Sequence, residues 1–179
     1  TLVISLLLFH FGLFAQKKLS LTELEKKRTE IENLTLINLE LALKKAELLL
    51  NTAQNSKSES EIAKAKSTLA YLKIFETKTS EAEILNNQSL KINLRLKNEN
   101  EIAKNYFNSA LLYSRKSDFV TSVGLFIKAI DLAKKNKNYL LVQKNYRGLA
   151  NSYCDQKNYE MALKYASKAF LIRINIAPI

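Results

Sequence analysis

Apolar and polar positions along the chain fall into blocks that keep a helical stride. Over residues 101–116, Ile102, Tyr106, Ala110 and Tyr113 recur every three to four residues, the spacing of one buried helix face. The polar triplet Lys116-Ser117-Asp118 interrupts that stripe, and a second one follows through Phe119, Val123, Phe126, Ile127 and Ile130. The polar tract KKNKN at 134–138 then ends the second helix. The same alternation of helix and break recurs over 143–174 and, more faintly, over 61–96. Residues 51–60, NTAQNSKSES, read as a polar loop inside this succession. Lys and Asn supply the breaks here, where Gly and Pro are more usual.

The alternation repeats. Residues 61–64 and 101–104 both read EIAK, and 141–144 read LVQK, forty residues further on. Ala70, Ala110 and Ala150 share that phase, and so do Ala42, Ala82, Ser122 and Ala162. The segment LELALKKAELLL at 39–50 matches YEMALKYASKAF at 159–170, three such periods away. Several segments agreeing in one register mark an internal repeat of two helices per unit. The units run 16–60, 61–100, 101–140 and 141–179, the first two degenerate. One helix pair cannot bury its apolar face alone, so stacking of neighbours must complete the core. The expectation is an all-α array.

These residues resemble a known family. Tyr146-x-x-Leu149-Ala150-x-x-Tyr153, then Tyr159-x-x-Ala162, then Ala169, resembles the tetratricopeptide repeat, and Tyr106, Ala110, Tyr113, Phe119, Phe126 and Ala129 occupy matching positions one unit earlier. Lys66 and Lys73 stand at two aromatic positions of the 61–100 unit, and Glu30 stands where the first unit needs a small residue. The resemblance implies a right-handed superhelical solenoid of antiparallel helix pairs. The period of forty is similar to the longer-helix variants of the family; the usual period is ~34 residues. Tyr106, Tyr113, Tyr153 and Tyr159 are then core residues. The resemblance also implies a concave groove lined by the first helix of each pair, where a protein or peptide partner would bind. Its exposed positions would be Lys104, Phe107, Asn108, Leu111 and Arg115, then Lys144, Arg147 and Asn151, with Lys64, Ser67 and Tyr71 from the degenerate unit. Lysine and amide donors suit peptide backbone and acidic side chains. A carboxylate clamp found in some family members is not matched, because Ser67, Tyr71 and Gly148 replace three of its side chains.

Composition narrows the function further. The chain has 179 residues, with 3 Gly, 1 Pro, 1 Cys and 1 His. So few turn residues exclude a β-sandwich, a barrel or a doubly wound sheet. His10 is the single histidine, so histidine-based nucleophilic or metal chemistry has no residues to work with. The close pairs Glu59 with Glu61 and Glu81 with Glu83 have polar neighbours and read as solvated faces. No enzyme and no cofactor is expected. Cys154 is expected to be a small buried helix residue.

The net charge is +11, from 28 Lys plus Arg against 17 Asp plus Glu. Only 5 of the 28 are Arg, and no groove-reading module accompanies them, which argues against nucleic acid. An acidic protein or peptide is the better electrostatic match.

Residues 1–15, TLVISLLLFHFGLFA, carry no Lys, Arg, Asp or Glu. A fifteen-residue, predominantly apolar run is short of the ~20 that span a bilayer and suits a signal peptide or signal anchor. Export follows as an expectation: a periplasmic protein, or one anchored and facing the periplasm. Membrane attachment would come from an uncleaved N-terminal segment or from a span beyond residue 179. The apolar ending through Phe170, Leu171, Ile172, Ile174 and Ile176 lacks the polar cap that repeat arrays need, so the chain reads as a fragment of a longer array. Two functions fit: an exported protein-interaction scaffold, or the extracytoplasmic sensory region of a bacterial histidine kinase or transcriptional regulator.

Overall fold

The computed structural model describes residues 21–176, which fold into eight consecutive helices. They are α1 (Leu21–Leu34), α2 (Leu39–Asn55), α3 (Glu59–Phe75), α4 (Thr79–Arg95), α5 (Glu99–Arg115), α6 (Phe119–Lys135), α7 (Tyr139–Asp155) and α8 (Tyr159–Ile176). The expected signal segment 1–15 and the chain end at 177–179 lie outside the described residues. Among the described residues, no helix is long and apolar enough to cross a membrane.

One turn, used repeatedly, sets the architecture. From α2 to α8 each helix starts twenty residues after the last, and three residues join them. The middle joining residue is left-handed every time: Lys57, Thr77, Lys97, Ser117, Lys137 and Lys157 have φ between 54° and 64°. In this closure the N–H of Lys97 reaches Leu94 O and the N–H of Asn98 reaches Asn93 O, so the last carbonyls of α4 are satisfied. The third joining residue starts the next helix. Ser58, Asn98, Asp118 and Asn138 each accept the backbone N–H three residues on, which satisfies one free donor of the new helix. Lys78 is the exception and makes no such bond. Five of the six turns thus follow the left-handed residue with Asn, Ser or Asp, and none uses glycine in the left-handed position.

Packing sorts the helices into two layers. The most extensive contacts join α3 with α4, α5 with α6 and α7 with α8. The first helices α1, α3, α5 and α7 also touch in succession, whereas α2, α4, α6 and α8 do not touch one another. The first helices therefore form the closely spaced inner side of a curved stack. Small residues allow the approach: Ala42, Ala82, Ser122, Ala70 and Ala110 are fully buried. Ala150 and Ala162 share their phase but are half-buried, because no described helix covers the last pair.

The apolar core comes in two main blocks. One joins α1, α2 and α3 through Leu24, Ile31, Leu49, Leu69 and Leu72. The other joins α5 to α8 through Phe107, Phe126, Ile130, Tyr146 and Leu149. Between them, where α3 and α4 receive α5, the seam is mostly polar. Asn86 donates to Asn105 O and Ser109 Oγ, Asn105 donates to Asn86 Oδ1 and Ser89 Oγ, and Asn93 donates to Asn105 Oδ1.

Several sequence expectations change. The stretch 51–60 is mostly helix: α2 runs to Asn55 and α3 starts at Glu59, because Ala53 is drawn into the α1–α3 core. Ile127 is exposed, since adjacent residues 126 and 127 cannot share one helix face. Tyr159 is 65% exposed instead of core, and Cys154 is exposed instead of buried. Glu61 is buried instead of solvated, held by Lys64 at 3.0 Å.

Candidate partner-binding groove

The inner faces of α1, α3, α5 and α7 surround a cavity of about 210 Å³. Forty-residue spacing puts equivalent turns of each first helix on its wall: Arg28, Thr68 and Asn108 are in phase, and so are Lys104 and Lys144. Tyr71, Asn138, Leu140 and Leu141 complete much of the lining.

The deepest element is an ion pair that skips a helix. The guanidinium of Arg28 on α1 passes α3, donating from Nε to Thr68 Oγ1 at 3.2 Å. It then grips both carboxylate oxygens of Glu101 on α5, at 3.2 and 2.9 Å. Both side chains are about 3% exposed. Lys104 donates to the same carboxylate at 2.9 Å. Burial by itself would raise the Glu101 carboxyl, but the charges of Arg28 and Lys104 overcome it and hold its pKa down at about 2. Arg28 moves upward from its ordinary value: burial opposes its charge, and the Glu101 carboxylate more than compensates. Beside this pair, Lys64 on α3 bridges Glu61 and Glu25.

A second pair crosses the groove. Lys144 on α7 donates to Glu32 on α1 at 2.5 Å, with both side chains about a quarter exposed. The Tyr71 phenol lies nearby. Burial, and then the Glu32 charge, push its pKa up to about 12, so it remains a protonated donor at neutral pH.

The eight residues anticipated for a partner site separate into three groups. Lys104, Asn108 and Lys144 line this groove. Arg147 and Asn151 line a different, more open depression between α7 and α8, with Ala150, Ala166, Phe170 and Arg173. Phe107, Leu111 and Arg115 line neither. Phe107 is buried against Phe126 and Tyr71, with ring centroids 6.0 and 6.1 Å away, because the aromatic side of α5 faces the core. Leu111 is half-buried against the same core, and Arg115 is exposed with its guanidinium 5.8 Å from the Phe75 ring centre. Asn108, expected to be exposed, is 3% exposed and donates to Ser67 O, Ser67 Oγ and Asn86 Oδ1. Its amide fixes α5 on α3 and is not free for a ligand.

Arg28, Glu32 and Glu101 were not anticipated. One signal was available for Arg28, which stands forty residues before Thr68 and eighty before Asn108, in the groove phase of the repeat. An arginine there needs a carboxylate partner.

The fold defines the chain as a helical-repeat solenoid built from helix pairs. It is similar to the crystal structure of BtubC (BKLC) from P. vanneervenii, with a TM-score of 0.59 and 20% sequence identity. The match covers 79% of this chain and 59% of that one, so the chain spans less than two thirds of its neighbour's length. At that identity the likeness shows the fold alone. No protein-family model and no curated protein matches the chain.

Proposed function

We propose that the chain is a protein-interaction scaffold of the tetratricopeptide class that takes a peptide segment of its partner into the groove between α1, α3, α5 and α7. The observation that carries this reading is the convergence of four first helices on one cavity whose wall carries lysine, phenol and leucine groups together with the Glu25 and Glu32 carboxylates. Such a wall offers hydrogen bonds and charge to a peptide backbone and its acidic side chains. The repeat register directs equivalent turns of each first helix toward the cavity, so the site is a property of the stack and not of one unit. In this reading the chain has no catalytic role, and it works outside the cytoplasm because residues 1–15 act as an export signal.

Selection of a random peptide display library against the 179-residue chain tests the proposal. Enriched peptides should bind the parent and lose at least ten-fold in affinity on Lys144→Ala. An Arg173→Ala change in the α7–α8 depression should leave them unaffected. Failure to enrich any peptide, or equal binding to Lys144→Ala, would overturn the groove assignment.

A further inference from the structure

The two ion pairs of the groove differ in how firmly they hold. Glu101 is fully buried, gripped at both oxygens by Arg28 and again by Lys104. Glu32 makes a single bond, to Lys144, and both partners keep about a quarter of their side-chain surface in solvent. Pairs that open are screened by salt and weakly held. The pairing is also distant in the chain, because Glu32 sits in the first described helix and Lys144 in the seventh, 112 residues later.

We propose that Glu32 is a built-in competitor at a carboxylate subsite centred on Lys144, so that an acidic peptide enters by displacing it. This rests on the groove being the partner site. Three features make the subsite suited to a carboxylate followed by an apolar side chain. The Lys144 ammonium supplies the charge. The Tyr71 phenol lines the same cavity, close enough to feel the Glu32 charge, stays protonated and can donate to the incoming oxygen. Leu140, 54% exposed on the groove wall, offers apolar surface one helical turn before Lys144. The Arg28–Glu101 pair is not exchanged: leaving a fully buried carboxylate unpaired is more unfavourable than separating a partly exposed pair that water can reach. It holds α1 on α5 while Glu32 swings away.

The mechanism fixes the sign of one substitution. If Glu32 were part of the recognition surface, removing its charge would weaken binding; as a competitor, its removal strengthens it. The probe is a fluorescein-labelled decapeptide of alternating Glu and Leu, with the Gln–Leu decapeptide as its neutral counterpart. Fluorescence anisotropy is read on the full chain, with far-UV circular dichroism confirming that helicity is kept. Glu32→Gln should bind the acidic peptide about two- to five-fold more tightly, the range set by losing one partly exposed pair. It should leave the neutral peptide unchanged, and Lys144→Gln should lose the acidic peptide. Equal or weaker binding by Glu32→Gln, with the parent still binding, would overturn the competitor role and leave the groove reading intact. No binding of the acidic peptide by any form, or equal binding by Lys144→Gln, would overturn both.

Discussion

Two junctions in this solenoid share one backbone and are filled with opposite chemistry. Where α5 and α6 receive α7, the positions on α6 are Phe126, Ala129 and Ala133, all fully buried. Where α3 and α4 receive α5, forty residues earlier, the same positions on α4 are Asn86, Ser89 and Asn93, also fully buried. The polar set is joined by side-chain hydrogen bonds; Asn93 Oδ1 there and the buried Asn145 Oδ1 on α7 at the apolar junction each accept none among the described residues. A net hydrogen bond contributes ~0.5–1.5 kcal/mol and a buried Phe ~1.5–3 kcal/mol, so a network of several hydrogen bonds matches one ring. Two different chemistries therefore hold helices in the same places. Helix placement in this stack comes from the shared turns and the small residues at the crossings, and core chemistry is free to vary between units.

The polar seam is spanned by the Arg28–Glu101 strap, and the largest effects are expected from breaking that strap or emptying the ring site of the apolar junction. Arg28→Ala leaves Glu101 buried beside Lys104 alone and should destabilise the fold by ~3–5 kcal/mol. Phe126→Ala at the apolar junction should lower stability by a similar ~3–5 kcal/mol through a cavity. The two losses should fall in different places. Hydrogen exchange should show α1 released in the first variant, and α6 and α7 loosened in the second. Uniform loosening in both would mean that the two junctions are not separable.

Acid should single out the polar side. The Glu101 carboxyl titrates at about 2 in the folded chain, below its ordinary 4.5, so its stabilising contribution is complete above pH 4.5. It is lost as the pH falls from 4.5 toward 2, on the order of 3 kcal/mol in all. Urea midpoints recorded between pH 6 and 2 should fall accordingly. A double Arg28→Met, Glu101→Leu variant should lose most of that pH dependence, since an apolar pair of similar volume can replace a buried ion pair.

The repeat made the fold legible, and it made the site only partly so. Breaks at 116–118 and 134–138, and the alanines in forty-residue phase, located α5, α6 and their crossing from pattern alone. The α2–α3 boundary was not legible, because polar residues such as Gln54 and Asn55 continue a helix when Ala53 beneath them is buried. On the groove wall, phase correctly grouped Lys104 with Lys144, but phase cannot say how deep a side chain sits. Phe107 and Asn108 occupy groove-phase helix turns and are buried because Tyr71, Phe126 and Asn86 reach them from neighbouring helices. Nor does any local pattern pair Arg28 with Glu101, 73 residues away, since that contact exists only once the stack has curved.

A smaller effect tests how each junction matches volumes. At the polar seam Asn108 reaches Asn86. One unit later the equivalent residues are Gly148 and Phe126, and a Cβ on Gly148 would stand 2.4 Å from two ring carbons of Phe126. Two side chains of equal size in one unit become one small and one large in the next. Gly148→Ala forces the buried ring aside and should destabilise by ~1–2 kcal/mol, even though alanine is ~1 kcal/mol the better helix former. Placed on a Phe126→Leu background, the same change should be neutral or stabilising. A destabilisation that persists there would mean that the glycine is required for something other than room.

The smallest effect separates the turns from the cores. Lys97 closes α4 at the polar seam, and Lys137 closes α6 at the apolar junction, with φ of 54° and 55°. A side chain is disfavoured in that left-handed conformation by ~1–2 kcal/mol, and glycine is free of the penalty at some expense in unfolded-chain entropy. Lys97→Gly and Lys137→Gly should each raise stability by ~0.5–1 kcal/mol. If the gains measured by urea unfolding are equal, turn energetics do not depend on whether asparagine or phenylalanine fills the adjoining core. If only Lys137→Gly gains, the polar seam has already relaxed its turn, and helix placement there depends on the asparagine network after all.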